Sequence, residues 1–185
     1  MNLSAILLIL LSTQPQAVAL PVCRPVRMPE SRMISHVQCV DSRNGISFRI
    51  PSNWKAHPTA GEGPYLWFLS FTGSDSAEHT GLTLIRQGFD QTATDLGFFR
   101  DDSGWHVRGL SASPASSREG ATWRGLQGET TEKCGGPADV CGTIDVVRAF
   151  AASTDRNLTL QVEPADITRL DFVLEHLTFL PEPAP

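Results

Sequence analysis

Alternating hydrophobic and polar residues predict the first secondary-structure elements of this chain. Ile46, Phe48 and Ile50 alternate with polar residues, the two-residue period of a strand with one buried and one solvated face. The Asn44-Gly45 pair before them favours a tight hairpin turn, because both residues tolerate positive φ angles. We therefore predict a hairpin with strands at residues 33–40 and 46–50, ended by Pro51 and followed by Trp54 packed on the core.

Other apolar or alternating segments predict further strands. Residues 65–71 are apolar at nearly every position, which is typical of a central strand covered on both faces. Residues 82–86 are its predicted neighbour. Shorter or alternating segments predict the remaining strands at 105–107, 121–128, 143–152, 157–162 and 177–180.

Two segments have the spacing of an amphipathic helix. Ala93, Leu96 and Phe99 share one face of a predicted helix within residues 92–100. After Pro164, five apolar residues fall on a second helical stripe: Ile167, Leu170, Val173, Leu174 and Leu177. These elements together predict an α+β protein with a single antiparallel sheet of about six to seven strands and helices packed on it.

Composition and charge narrow the class of protein. The chain has 185 residues, of which 41% are hydrophobic and 19% charged, as in an ordinary single globular domain. Fifteen basic and twenty acidic residues give a net charge of −5, and no long basic run is present. A nucleic acid is therefore not an expected partner.

The first 19 residues predict an export signal. A short apolar run at 5–11 precedes Ala17 and Ala19, small residues that suit cleavage after Ala19. The run is far shorter than the roughly 20 residues that span a bilayer, so no transmembrane segment is predicted. We expect a periplasmic or secreted protein, divided into a signal peptide (1–19), a Pro-rich arm (20–32), one globular domain (33–181) and a tail (182–185).

Four cysteines remain after the predicted cleavage site, namely Cys23, Cys39, Cys134 and Cys141. An even number in an exported chain predicts disulfides, and four cysteines allow three pairings. We favour the sequential one, because Cys134 and Cys141 flank a Gly-Gly-Pro turn and Cys23–Cys39 would fasten the arm to the first strand. Zinc is the alternative, since His36 lies three residues before Cys39, but the short C-x-x-C spacing is missing. No metal or cofactor is predicted.

Two segments resemble a known family. GISFRIPSNW (45–54) is similar to the opening signature of PsbP-like domains, and LDFVLEHLTFLP (170–181) is similar to their closing helix and strand. The resemblance implies an α-β-α sandwich and a bacterial exported member of a mostly non-catalytic superfamily. Fold alone does not fix function.

No arrangement in the sequence predicts an enzyme. The G-x-S-x-G elbow of serine hydrolases is missing, and Asp102-Ser103-Gly104 has no second copy to supply the paired carboxylates of an aspartic protease. The five histidines are scattered. A small hydrolase that uses Asp102, His79 or His106 is an alternative, but no catalytic residue is predicted.

The leading hypothesis is a non-catalytic protein that binds another protein, specifically an immunity or inhibitor protein that neutralises a secreted toxin. The loops at 72–81 and 129–142 are the expected contact surfaces, because loops on a rigid scaffold commonly carry recognition. A cell-envelope accessory or assembly factor is the second hypothesis. The candidate contact residues in these loops are Asp75, Glu78, His79, Glu129, Glu132, Lys133 and Asp139.

Overall fold

The computed structural model describes residues 20–29, 33–72, 81–133, 142–163 and 167–181. Within them the chain forms thirteen strands and two short helices. In chain order the elements are β1 (Val22–Arg27), β2 (Ile34–Asp41), β3 (Ile46–Pro51), β4 (Lys55–Ala60), β5 (Tyr65–Thr72), β6 (Gly81–Ile85), α1 (Phe89–Asp95), β7 (Phe98–Asp101), β8 (Gly104–Val107), β9 (Ser113–Glu119), β10 (Trp123–Lys133), β11 (Thr143–Ser153), β12 (Thr159–Glu163), α2 (Ile167–Glu175) and β13 (Thr178–Phe179).

The strands form two antiparallel sheets. The four-stranded sheet has the order β1-β2-β3-β13, and the nine-stranded sheet has the order β4-β5-β6-β12-β11-β10-β9-β8-β7. The prediction of one sheet of six to seven strands in an α-β-α sandwich is therefore wrong. The described helices span only seven and nine residues, too little to cover either sheet as a layer.

The helix predicted at 92–100 begins earlier than predicted and is shorter. It ends before residue 100 because Gly97 stops it. Gly97 adopts a φ of 78°, which L side chains rarely take, and its amide hydrogen-bonds to the Thr94 carbonyl at 3.0 Å. The next residues continue as β7, where Phe98 pairs with Val107. Leu96 thus lies at the end of the helix and Phe99 lies in a strand, so their spacing does not mark one continuous helix.

The predicted Asn-Gly hairpin is confirmed. β2 and β3 pair antiparallel, and Gly45 in the turn has a φ of 59°. A side chain at Gly45 would also meet the Arg156 guanidinium at 2.8 Å. Arg156 donates hydrogen bonds to the Asn44 and Gly45 carbonyls, so it ties this turn to the connection between β11 and β12.

The main core lies between the inner faces of the two sheets. Phe48 and Ile50 of β3 pack in one buried cluster with Trp67 and Leu69 of β5, and α2 adds its own apolar residues to the same cluster. The prediction that residues 65–71 are covered on both faces is wrong. Phe68 is 40% exposed, because β5 buries only the alternate side chains Trp67, Leu69 and Phe71 in the core.

A second, smaller core covers the other face of the nine-stranded sheet. Leu126 of β10 and Phe150 of β11 pack there with Phe98 and Val107 of the β7–β8 hairpin and with Ala93 of α1. The sheet therefore folds its last strands back over its own outer face. Predicted strands at 105–107, 121–128, 143–152 and 157–162 all fall in this sheet.

The disulfide between Cys23 and Cys39 is present and joins β1 to β2. The two residues face each other directly in the strand register, and Cys39 is fully buried. The predicted pairing is therefore confirmed for these two cysteines. Cys134, Cys141 and the predicted signal peptide lie outside the described residues.

Candidate functional site

Exposed large apolar side chains concentrate on the β1–β2 hairpin. Eleven such side chains occur among the described residues, and six of them lie between residues 20 and 34. Single exposed apolar residues are normal on a protein surface, but a cluster of them marks an interaction site. The six residues are Leu20, Val22, Val26, Met28, Met33 and Ile34.

Strand register places basic side chains beside these apolar ones. Cys39 and Phe48 are paired and fully buried, so residues at the alternate positions of β1, β2 and β3 point to the opposite, outer face. We call this surface the cationic face. It comprises Val22, Arg24, Val26, His36, Gln38, Val40, Ser47 and Arg49.

The charge of this region is opposite to that of the rest of the chain. Residues 20–51 contain five arginines and two acidic residues, whereas residues 52–185 contain ten basic and eighteen acidic residues. The acidic side chain that the structure describes in the four-stranded sheet is Asp41, which is only 2% exposed. The face is therefore positively charged on a protein with a negative net charge.

A shallow groove of about 640 Å³ runs along one end of the cationic face. Leu20, Val22 and Val40 form its apolar part, and Arg24 and Arg43 lie at its polar side. Such a combination of apolar floor and guanidinium groups suits a protein segment with both apolar and carboxylate side chains.

Hydrogen bonds fix the centre of the cationic face. The Gln38 amide donates to Ser47 Oγ at 2.8 Å and to the Phe48 carbonyl at 3.0 Å, and its oxygen accepts from Arg49 Nε at 3.1 Å. Arg49 is therefore held in place before any partner arrives, which lowers the entropy cost of binding.

The outer edge of the cationic face is poorly suited to accept an added strand. Cys23 and Cys39 have Cα atoms 4.0 Å apart, the short spacing of a pair that exchanges no backbone hydrogen bonds. The backbone groups of Cys23 thus point away from β2, and so do those of Pro25 two residues later. Pro25 has no N–H to donate, so the middle of β1 cannot support a continuous added strand.

His36 gives the cationic face a titratable group. Burial lowers the pKa of His36 below its ordinary value of 6.5, and the positive charges of Arg49 and then His176 lower the pKa further. Its Nδ1 lies 2.8 Å from Ser35 Oγ. His36 is therefore neutral at neutral pH, and acidification adds a charge to this face.

We predict that Arg49→Gln raises the pKa of His36 toward 6.5, because it removes one of the repelling charges. The lowered pKa also affects the stability of the wild type, since the unfolded chain binds this proton more readily than the folded one. The free energy of unfolding of the wild type should therefore fall as pH decreases through 6.5 toward the lower folded pKa. NMR titration of the imidazole measures the pKa, with Arg27→Gln as the control. A His36 pKa that Arg49→Gln leaves unchanged would contradict the prediction.

One residue of the hydrolase alternative, His106, belongs to a turn cluster on the β7–β8 hairpin together with Asp101 and Ser103. Asp101 Oδ1 accepts hydrogen bonds from the Ser103 amide at 2.8 Å and from Ser103 Oγ at 2.7 Å. His106 Nε2 lies 2.8 Å from Ser103 Oγ and 3.1 Å from Asp101 Oδ1. The hydrogen bonds from the Ser103 hydroxyl and amide hold the pKa of Asp101 below its ordinary value.

This cluster lacks the geometry of a catalytic triad. In a triad the carboxylate holds one imidazole nitrogen while the other contacts the serine, but here Asp101 and Ser103 both contact His106 Nε2. The carboxylate involved is Asp101 and not the predicted Asp102. The cluster instead satisfies the polar groups of a hairpin turn.

The predicted loop contacts are only partly described. Glu129, Glu132 and Lys133 lie along β10, with Glu129 and Lys133 exposed and Glu132 ion-paired with Arg148. Asp75, Glu78, His79 and Asp139 lie outside the described residues. Of the three described contact residues, Glu132 is therefore held in an ion pair, whereas Glu129 and Lys133 are exposed on the strand.

Sequence reasoning did not identify Arg24, Gln38 and Arg49 as site residues. They are separated by up to 25 positions, and only the pairing of β1, β2 and β3 brings them together. The sequence does contain one signal for this site: Val22, Arg24 and Val26 occupy every second position within the Pro-rich arm. This two-residue period indicates a strand on which the three side chains share one face.

The zinc alternative at His36 and Cys39 is not available, because Cys39 is oxidised to a disulfide. In the described ranges no group of three or more His, Cys, Asp or Glu residues could hold a metal ion. No helix there is long and apolar enough to cross a membrane.

The chain matches no protein-family model, no curated protein and no solved structure.

Proposed function

We propose that this protein is an exported, non-catalytic binding protein that docks an acidic protein partner on its cationic face. The observation that carries the proposal is the concentration of exposed apolar side chains and arginines on one hairpin. Protein interfaces combine these two features: apolar anchors exclude water, and arginines supply hydrogen bonds around them.

The apolar side chains supply the driving force for docking. Val22 is 53% exposed and Met33 is 65% exposed, so both retain most of their surface for a partner to cover. Burying apolar surface is worth roughly 25 cal/mol per Å² before the costs of association. Val22 and Val26 lie on the cationic face itself, and the other four exposed apolar residues flank it at the two ends of the hairpin.

The arginines select the charge of the partner. Arg24 on the cationic face and Arg27 at the end of β1 beside it are exposed and form no ion pair among the described residues. Opposite charges across an interface raise the association rate and reject partners of like charge. An acidic protein is therefore favoured over a basic one.

The disulfide prepares the face for binding and supports an extracytoplasmic location. It ties the exposed edge strand β1 to the fully buried Cys39, so the apolar side chains of β1 keep a fixed position. Structural disulfides persist in oxidising compartments, which agrees with the export signal predicted in the sequence.

The narrower expectation, neutralisation of a secreted toxin, remains a prediction. It placed the contacts on the loops at 72–81 and 129–142, most of which lie outside the described residues. An envelope accessory role also remains a prediction, as does the resemblance to PsbP-like proteins. A docking face of this kind is compatible with either role.

We predict that Val22→Asp and Arg24→Glu each weaken partner binding at least about tenfold, since one buries a charge and the other reverses one. The mature protein, immobilised, is exposed to secreted and envelope proteins of the producing organism, and retained proteins are compared between variants. The expected partner is acidic and is released by high salt.

Ile144→Asp is the matched control, because Ile144 is a similarly exposed aliphatic residue, at 47%, on β11 of the other sheet. The wild type and Ile144→Asp should retain the same partner. A protein retained equally by Val22→Asp, or no retained protein at all, counts against the proposal.

A further inference from the structure

We infer a second binding site, for a small ligand that carries a carboxylate or phosphate group, in a groove beside α1. This groove, the arginine groove, has a volume of about 720 Å³ and shares no lining residue with the groove on the cationic face. It is bounded by the β6–α1 connection, the start of β10 and the β11–β12 turn. The residues used below are Arg86, Phe89, Asp90, Arg124, Asp155 and Arg156.

Arg124 is the best-positioned group for an anion. Its guanidinium lies over the Phe89 ring, 4.3 Å from the centroid. Phe89 is itself held by the Trp105 ring at 5.9 Å and the Phe150 ring at 5.2 Å. This cation–π contact restrains the guanidinium, and no described residue accepts a hydrogen bond from it, so its N–H groups can bind two oxygens of a carboxylate or phosphate.

Arg86 supplies a second cation to the same groove. Its side chain is exposed, and neither Arg86 nor Arg124 forms an ion pair with a described carboxylate. Two unneutralised guanidinium groups along one groove favour an anion with several oxygens.

The third arginine is used by the fold. Both terminal nitrogens of Arg156 donate to the Asn44 and Gly45 carbonyls. Its buried Nε makes no hydrogen bond and lies 4.0 Å from Asp155 Oδ1. Arg156 therefore offsets the charge of Asp155 and builds the wall of the groove.

Asp90 is the remaining acidic residue of the groove. Because Arg156 offsets the charge of Asp155, the groove is left with two cations, Arg86 and Arg124, and one carboxylate, Asp90. Its net charge is positive, and Asp90 can accept a hydrogen bond from a hydroxyl or amino group of the ligand. A carboxylate or phosphate that also carries a donor group fits this combination best.

The test titrates the mature protein with inorganic phosphate and, separately, with citrate at constant ionic strength. NMR follows the Arg124 side-chain Nε–H signal and the backbone amide signals of the groove residues 86–91, which also report binding in variants that lack Arg124. We expect saturable shifts at Arg124. Arg124→Gln and Arg86→Gln should each weaken binding by about tenfold, the effect of losing charge-assisted hydrogen bonds. Saturation by citrate alone assigns the site to carboxylates, and saturation by phosphate alone assigns it to phosphates.

Arg100→Gln is the matched control. Arg100 also lies over an aromatic ring, 6.0 Å from the Trp105 centroid, but does not line the arginine groove. Binding should be unchanged in this variant. The inference is overturned if neither anion saturates, or if Arg100→Gln weakens binding as much as Arg124→Gln does.

Discussion

Replacing Asp41 with alanine is expected to lower the free energy of unfolding by about 3 kcal/mol, because it removes a buried acceptor of several hydrogen bonds. The Asp41 side chain accepts from Trp67 Nε1 at 2.7 Å, from Asn44 Nδ2 at 2.6 Å and from the Arg43 and Asn44 amides at 3.1 Å each. Without it the buried Trp67 N–H loses its partner. One of the links from the β2–β3 turn to the nine-stranded sheet is then lost, while the link through Arg156 remains, and urea unfolding measures the change.

Asp101 provides the control for Asp41. It occupies a similar hairpin turn, where it accepts from the Ser103 amide, but half of its side chain is exposed. Water can replace it there, so Asp101→Ala should cost much less than Asp41→Ala. Equal losses in the two variants would contradict the view that Asp41 connects the two sheets.

Removing the Cys23–Cys39 disulfide is the second large expected effect. The double variant Cys23→Ala/Cys39→Ala should lose about 3 kcal/mol of unfolding free energy, since the bond closes a loop with a sequence separation of 16 residues. For a protein of this size the loss corresponds to a fall in Tm of about 6–12 °C, which calorimetry measures.

The loss should also be local. β1 pairs only with β2, and five of its six residues are exposed, so little besides the disulfide and the ladder holds it. Amide hydrogen exchange in the double variant should increase most at residues 22–27 and little in β10 and β11. Unchanged protection of β1 would show that the ladder alone is sufficient.

Local signals in the sequence were enough for part of the fold. Asn44-Gly45 specified the β2–β3 hairpin, and the apolar stripe after Pro164 specified α2. Both depend on neighbouring residues only. The Cys23–Cys39 bond was also predictable, because the two cysteines belong to adjacent elements.

The sheet architecture was not predictable in the same way. β1 and β4 contain Pro25 and Pro58, which argue against a strand, and they form because each is an edge strand paired on one side. Trp67 and Leu69 bury one face of β5 while Phe68 is exposed, although all three are apolar. Whether strands join one sheet or two depends on partners distant in sequence, which periodicity does not encode.

The candidate site was missed for the same reason. Charge and loop position predicted residues such as Glu129 and Glu132 as contacts, but Glu132 forms an ion pair with Arg148. The cationic face arises from the register of three strands, which aligns Arg24 with Gln38 and Gln38 with Arg49. A pattern of this kind becomes visible only after the strands are paired.

Hydrogen exchange of the protein with and without its captured partner tests the proposed docking face most directly. Amides of β2, whose side chains form the centre of the cationic face, and of β1 should become more protected in the complex. The Tyr65–Phe68 surface, which also exposes aromatic side chains, should be unaffected. Protection confined to that aromatic surface or to the ends of β10 and β11, with β1 and β2 unchanged, would contradict the account.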